Sequence, residues 1–233
     1  MKLLALDTSS AGCSAALLVD GQLTERFELA PRGHTRLLMP MVRELLAEAG
    51  LAPSDLDALA FARGPGSFTG LRIATGVVQG LAWGLNLPVV PVSSLEAVAL
   101  SAIEAKGLAE SDGVAVAFDA RMSEVYLGLF RVEGQFPTSL VEERVCPPEA
   151  VNLPDSGPQR WFAAGSGWAY RDAMTDRVTS RLAEVDESLL PRASAVARLA
   201  QRAFDRGETV SAEQAQPVYV RDEVTWQKLP GRE

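Results

Sequence analysis

The chain has one histidine and two cysteines in 233 residues. A metal centre built on two histidines, or on a Cys₂His₂ or Cys₄ cage, cannot be assembled from one copy. Cys13 and Cys146 lie far apart and suggest no disulfide framework, which fits a reduced, cytoplasmic setting. Basic residues are also short, 22 Lys plus Arg against 30 Asp plus Glu, for a formal charge of -8. Such a surface repels a phosphate backbone, so nucleic-acid contact would fall to a basic partner or a local patch. Long apolar runs are missing too. Asp7 interrupts the N-terminal apolar stretch before a signal-peptide core can form. The stretch 73–85 contains Gln79 and falls short of the roughly 20 residues of a membrane span, so no membrane partner is expected. What remains, 47% hydrophobic and 22% charged, is the composition of a soluble globular protein.

An internal repeat organises the chain. Leu3-Leu4-Ala5-Leu6-Asp7 is followed by a polar turn, an apolar stretch from Cys13 to Val19, and Asp20-Gly21-Gln22-Leu23. Val114-Ala115-Val116-Ala117-Phe118-Asp119 is followed by a polar turn, Val125 to Val132, and Glu133-Gly134-Gln135-Phe136. Each reads as a strand ending in Asp, a tight loop, a second strand, an acidic-Gly-Gln turn and a third strand. The repeat predicts two similar halves, each opening with a β-meander.

After each meander the hydrophobic period becomes helical. Residues 35–49 are apolar at 37, 38, 41, 42, 45, 46 and 49, with Gly50 as a stop signal. A strand is predicted at 56–62, a helix at about 71–85, a strand at 87–92, and a helix capped by Ser93 or Ser94 that reaches about Lys106. A Pro-rich passage, 147–158, precedes a strand at 161–164 and helices around 168–174 and 194–206. The fold class is therefore α/β in two units, 1–108 and 109–211, divided near Gly107 to Gly113. A tail from about 212 to 233, with Val218, Tyr219, Val220 and Trp226, is expected to pack back on the first unit.

Leu4-Ala5-Leu6-Asp7-Thr8-Ser9, Gly33-His34-Thr35 leading into Leu37-Leu38-Met39-Pro40, and the long run Gly64-Pro65-Gly66-Ser67-Phe68-Thr69-Gly70-Leu71-Arg72 form a recognisable set. With Asp119-Ala120-Arg121-Met122-Ser123-Glu124-Val125-Tyr126 and Gln216-Pro217-Val218-Tyr219-Val220-Arg221, the chain resembles the bacterial TsaB family, formerly called YeaZ, over nearly its whole length. The resemblance implies two actin-like (ribonuclease H-like) subdomains in reduced form. It also implies a role in making threonylcarbamoyladenosine (t6A) at position 37 of tRNAs reading codons that begin with A. There the related protein TsaD is the transferase, TsaE an ATPase that joins it, and TsaB the non-catalytic partner that binds and activates TsaD. Self-association as a homodimer without TsaD is implied as well, with tRNA touched only indirectly.

In the actin-like fold the first turn of each meander faces nucleotide phosphates, with Asp residues holding Mg²⁺ through water. Asp7, Thr8 and Ser9 fall at the first such turn and Asp119 at the second, as a vestigial nucleotide site. Either aspartate could equally cap its own turn. Gly165-Ser166-Gly167 after a strand is either the fold's adenosine-binding glycine turn or a remnant of it, since Tyr170 stands where a dinucleotide fingerprint has its third glycine. The resemblance leaves no cofactor of the chain's own, with ATP or ADP and Mg²⁺ held at most weakly or shared at a partner interface. The Gly64 to Gly70 run carries Leu71-Arg72 in place of the Lys-Ser/Thr of a P-loop, so its expected task is to cap the following helix through Ser67 or Thr69. The related transferase holds its metal on a His-x-x-x-His pair; here Leu38 stands four residues after His34, and no metal is expected. His34 itself reads as a cap or surface group.

Gly76, Gly80 and Gly84 recur every four residues on one predicted helix. Each costs about 1 kcal/mol relative to Ala, so the stripe points to very close packing. The preceding helix has two apolar stripes, one more than a single core contact requires. Two arrangements fit: both helices sandwiched within their own unit, or both paired with a partner's. The resemblance favours a partner surface of Leu37, Leu38, Met41, Leu45, Ile73, Gly76, Val77, Gly80, Leu81 and Gly84. Two other readings compete with the accessory subunit: a small ATP-binding kinase or ATPase of the same fold, and a metalloprotease, for which the chain has no metal pair.

Overall fold

The computed structural model describes residues 1–220, so Arg221 and Trp226 lie outside the described residues. Strands β1 (Lys2–Asp7), β2 (Gly12–Val19) and β3 (Gln22–Leu29) form an antiparallel meander in which Asp7 pairs with Ser14. Asp20 and Gly21, both at positive φ, make the two-residue turn whose twist suits a hairpin. β4 (Ala58–Gly64) and β5 (Val89–Ser93) add in parallel beside β1, giving the order β3-β2-β1-β4-β5.

The second half repeats this plan. β6 (Asp112–Asp119), β7 (Val125–Glu133) and β8 (Phe136–Ser139) form its meander, and β9 (Arg144–Cys146) pairs with β7. β10 (Arg160–Ala164) and β11 (Leu182–Asp186) extend it in parallel, in the order β11-β10-β6-β7-β8. With β9 set aside and strands numbered within each half, both sheets share one order. The structure thus has the two similar α/β halves, each opening with a β-meander, that the repeat predicts.

The helices are α1 (His34–Glu48), α2 (Phe68–Leu85), α3 (Ser94–Lys106), α4 (Asp176–Thr179) and α5 (Ala193–Asp205). Helix α2 starts three residues before the predicted position because Ser67 caps it, accepting from the Gly70 amide. Ser93 caps α3 through the amides of Leu95 and Glu96. The helix expected around 168–174 is a 3₁₀ segment, Ser166–Ala173. No helix among the described residues is long and apolar enough to cross a membrane.

The division at 108/109 describes the sheets and needs correction for the helices. Helix α3 packs on the second sheet through Leu95, Val98, Ala102 and Ile103, among Val114, Val116, Phe130 and Phe162, while its Ala97 and Leu100 join the first sheet's cluster. Helix α5 packs on the first sheet, with Val196, Ala197 and Ala200 among Leu3, Ala5, Ala60 and Val92. The physical reason is that each helix finds its apolar complement across the seam. Each Leu, Val or Ile buried there contributes about 1.5–3 kcal/mol, so the exchange ties the halves together. Glu25 on β3 fixes the start of α5, accepting from Arg192 Nη2 (2.6 Å) and from the Ser194 amide (2.9 Å). At the seam Ser93 donates to Glu143, and burial, with the neighbouring Glu143 charge, pushes Glu96 up to about 7. The tail packs on the first half as far as Tyr219: Val210 bridges Val89, Ala215 is fully buried, the Val218 amide donates to the Arg63 carbonyl (2.8 Å), and the Tyr219 hydroxyl accepts from Arg72.

Candidate functional site

A cleft of about 960 Å³ lies between the halves, where the first turn of each meander meets the starts of α1 and α2. Ser9 and Ser10 line it from the first turn, Asp119 and Arg121 from the second, and Ser67 and Thr69 from the loop before α2. The two aspartates, equivalent in sequence, have different surroundings.

Asp7 is fully buried. Its Oδ1 accepts from the Ser9 amide (3.0 Å) and hydroxyl (2.6 Å), while Oδ2 has no hydrogen-bond partner among the described residues. Burial pushes its carboxyl up to about 6, against the opposing pull of the Ser9 bonds. The Gly64 to Gly70 loop lies directly over this turn. The Ser67 amide donates to the Ser9 carbonyl at 2.7 Å. A Cβ at Gly66 would stand 2.3 Å from that carbonyl oxygen, and one at Gly70 only 1.9 Å from the Thr8 carbonyl oxygen. Glycine is required at both positions because backbone presses on backbone. The loop therefore covers the carbonyl side of the first turn, while Ser9 and Ser10 still line the cleft. The Asp7 carboxyl, buried and bonded to Ser9, is not presented to the cleft as a Mg²⁺–nucleotide would need.

Asp119 is exposed, and its Oδ1 accepts from the Arg121 amide (2.8 Å), which closes a local turn. Arg121, Met122 and Ser123 all have positive φ, at about 1 kcal/mol or more each for L-residues. Gly165 and Gly167 belong to the same region. A Cβ at Gly165, where φ is +97°, would lie 2.5 Å from the Ala117 carbonyl oxygen, and one at Gly167 would lie 2.8 Å from the Ala117 carbonyl carbon. Both glycines are accounted for by the close pass of the 3₁₀ segment over β6, which Trp168 anchors through Nε1 to the Ala115 carbonyl (2.9 Å).

His34, expected as a cap or a surface group, is not at the surface: it is buried at the start of α1. Its Nε2 lies 3.0 Å from the Ser10 carbonyl and 3.2 Å from that of Gly12. Both partners are acceptors, so Nε2 carries the proton and the ring ties α1 to the first turn. Among the described residues no group of three or more His, Cys, Asp or Glu side chains is placed to hold a metal ion.

The two helices of the expected partner surface divide. Leu38, Met41 and Leu45 on α1 are buried in the first core beside Val42 and Leu46. Both apolar stripes of α1 thus serve its own half, and these three residues are corrected from surface to core. Leu37 packs partly against the same core. Helix α2 is different. Gly76, Gly80 and Gly84 are exposed, and a Cβ added at any of them would meet nothing within 4 Å. Ile73, Val77 and Leu81 are half-buried beside them. Trp83 is 69% exposed next to the stripe, at a groove of about 650 Å³ shared with Asn86, Leu87 and the chain around Val210. At the other end of α2, Arg72 stacks 3.8 Å from the Phe68 ring centroid and donates through Nε to the Tyr219 hydroxyl (3.1 Å).

The family model for the tRNA N6-adenosine threonylcarbamoyltransferase TsaD matches residues 27–229. The tRNA threonylcarbamoyladenosine biosynthesis protein TsaB of Haemophilus influenzae is 43% identical, with 100% of this chain and 99% of that protein covered. Its Escherichia coli counterpart is 41% identical, with both chains covered in full. The chain belongs to the TsaB family. The crystal structure of YeaZ from Pseudomonas aeruginosa superposes with a TM-score of 0.87 at 50% identity, covering 94% of this chain and 99% of that one. A second Pseudomonas aeruginosa structure, presented as similar to peptidase YEAZ, gives 0.88 at the same identity and coverage.

For this TsaB-family chain, sequence reasoning found the glycine stripe and missed Phe68, Arg72, Trp83 and Tyr219. One signal was available: Trp83 adjoins Gly84 on the face of α2 opposite its core residues Ala74, Val78 and Ala82, where the helical period calls for a polar residue. Tyr219 had no such signal, because its contact with Arg72 spans 147 residues.

Proposed function

We propose that the chain is a non-catalytic accessory subunit of t6A formation, acting at position 37 of tRNAs that read codons beginning with A. It docks on the TsaD transferase through the open face of α2, TsaE joins the pair, and tRNA is engaged only through the partners. The observation that carries this reading is the stripe of Gly76, Gly80 and Gly84, with space above each and apolar Ile73, Val77, Leu81 and Trp83 alongside. Within a monomer three interior helix glycines cost about 3 kcal/mol and gain nothing; against a second helix they permit close backbone approach. The same face serves self-association as a homodimer when TsaD is absent, so added TsaD dissolves the homodimer.

The reading as an ATPase or kinase is disfavoured by the loop that covers Thr8 and Ser9 and by the buried, internally bonded Asp7. A nucleotide with Mg²⁺ would need groups from the partner at a shared interface.

Gly80→Leu tests the docking face. The new side chain has room, so the variant folds with an unchanged or higher thermal midpoint, while titration calorimetry with TsaD records a loss of affinity of 100-fold or more. Binding as tight as the unmodified chain's would remove α2 as the docking helix.

A further inference from the structure

We infer that Thr8 is a positioning residue that sets the first turn of α2, and with it the docking face, from the floor of the cleft; this rests on the docking reading above. Thr8 is fully buried at the end of β1. Its hydroxyl donates to the Gly70 carbonyl at 2.6 Å and accepts from the Ala74 amide at 3.2 Å. Those two groups are four residues apart, the pair that an α-helix joins to each other. The Thr8 hydroxyl thus bridges both groups of one rung of the α2 ladder, three residues beyond the first rung, which Leu71 makes to the Ser67 carbonyl; a side chain inserted at such a rung fixes a local bend or opening in a helix.

Three further observations make this a built joint. Gly70 can seat only without a Cβ, because its Cα rests against the Thr8 carbonyl. One residue along, Ser9 holds the Ser67 N-cap through its carbonyl, and Ser9 is itself held by Asp7. The docking residues Ile73, Gly76 and Val77 lie within one turn of Ala74, so any change of pitch at this rung swings the stripe that follows. The first turn binds its own helix through Thr8, and so couples the cleft to the docking surface.

The experiment compares Thr8→Val, which keeps the shape and loses the hydroxyl, with Thr8→Ser, which keeps the hydroxyl. Calorimetric affinity for TsaD and hydrogen exchange at the Ala74 amide are measured on chains whose thermal unfolding is cooperative. The expected result is a loss of about tenfold in affinity and faster Ala74 exchange for Thr8→Val, with Thr8→Ser within about threefold of the unmodified chain. If Thr8→Val fails to fold, Thr8→Cys, a weak donor and acceptor of similar size, replaces it with the same expected order. Normal affinity in the hydroxyl-free variant, or equal losses in Ser and Val, overturns the inference. Gly80→Leu, run alongside, separates the two claims: if it too binds normally, the docking reading has failed, and if it alone loses binding, only the role of Thr8 has.

Discussion

The two meander turns, Asp7-Thr8-Ser9 and Asp119-Ala120-Arg121, come from one repeated pattern and have diverged in what they hold. In the first, every polar group but one turns inward: Asp7 to Ser9, Thr8 to α2, Ser9 to the loop before α2. In the second, Asp119 closes a local turn and Arg121, Met122 and Ser123 are exposed in left-handed conformations. A duplicated backbone can keep its strand order while one copy of a turn is an internal joint and the other is left open. The difference is one of burial, and burial decides how much each residue matters.

The largest test of that contrast is Gly70→Ala beside Gly167→Ala. The first forces a Cβ to 1.9 Å from a carbonyl oxygen and the second to 2.8 Å from carbon. Calorimetric unfolding should show a loss of about 3 kcal/mol or more for Gly70→Ala and about 1–2 kcal/mol for Gly167→Ala. Equal losses would mean that the first turn is no tighter than the second.

The aspartates give a smaller and more selective contrast. Because burial raises the Asp7 carboxyl from 3.8 to about 6, the folded chain holds a proton there that the unfolded chain has lost. The associated stability is present below about pH 4 and fades as pH rises through about 6. Asp7→Asn keeps the Oδ1 acceptor and removes the buried charge, so at pH 7.5 it should unfold higher by about 2 kcal/mol, with a flatter profile between pH 4 and 6. The slope that persists up to about pH 7 belongs to Glu96. Asp119→Ala should cost less than about 1 kcal/mol, since only an exposed turn bond is lost. A larger loss at Asp119 than change at Asp7 would reverse the comparison.

Both meanders and the main helices were legible in the sequence because period-two and 3.6-residue patterns report burial directly, whereas the strand order was not read from it. The exchange of α3 and α5 was not. Helix α3, with Leu95, Ala97, Val98, Ala99, Leu100, Ala102 and Ile103 all buried, is apolar nearly all round and does not say which sheet it faces. The candidate site was half legible. Ser67 as a cap and the Gly76 to Gly84 stripe follow from local rules, whereas the fit of Gly66 and Gly70 onto Thr8 and Ser9 depends on backbone about 60 residues away. The doubled stripe of α1 misled for a related reason: a helix lying deep in its own core buries a wide arc, and Leu38, Met41 and Leu45 fall inside it.

The most direct measurement is reconstitution of t6A formation from purified TsaD, TsaE, tRNA and threonylcarbamoyl-AMP, with and without the chain. The account predicts modified tRNA only when the chain is present, restored poorly by Gly80→Leu, and none from the chain with tRNA and threonylcarbamoyl-AMP alone. Equal modification in its absence, or turnover by the isolated chain, would contradict it.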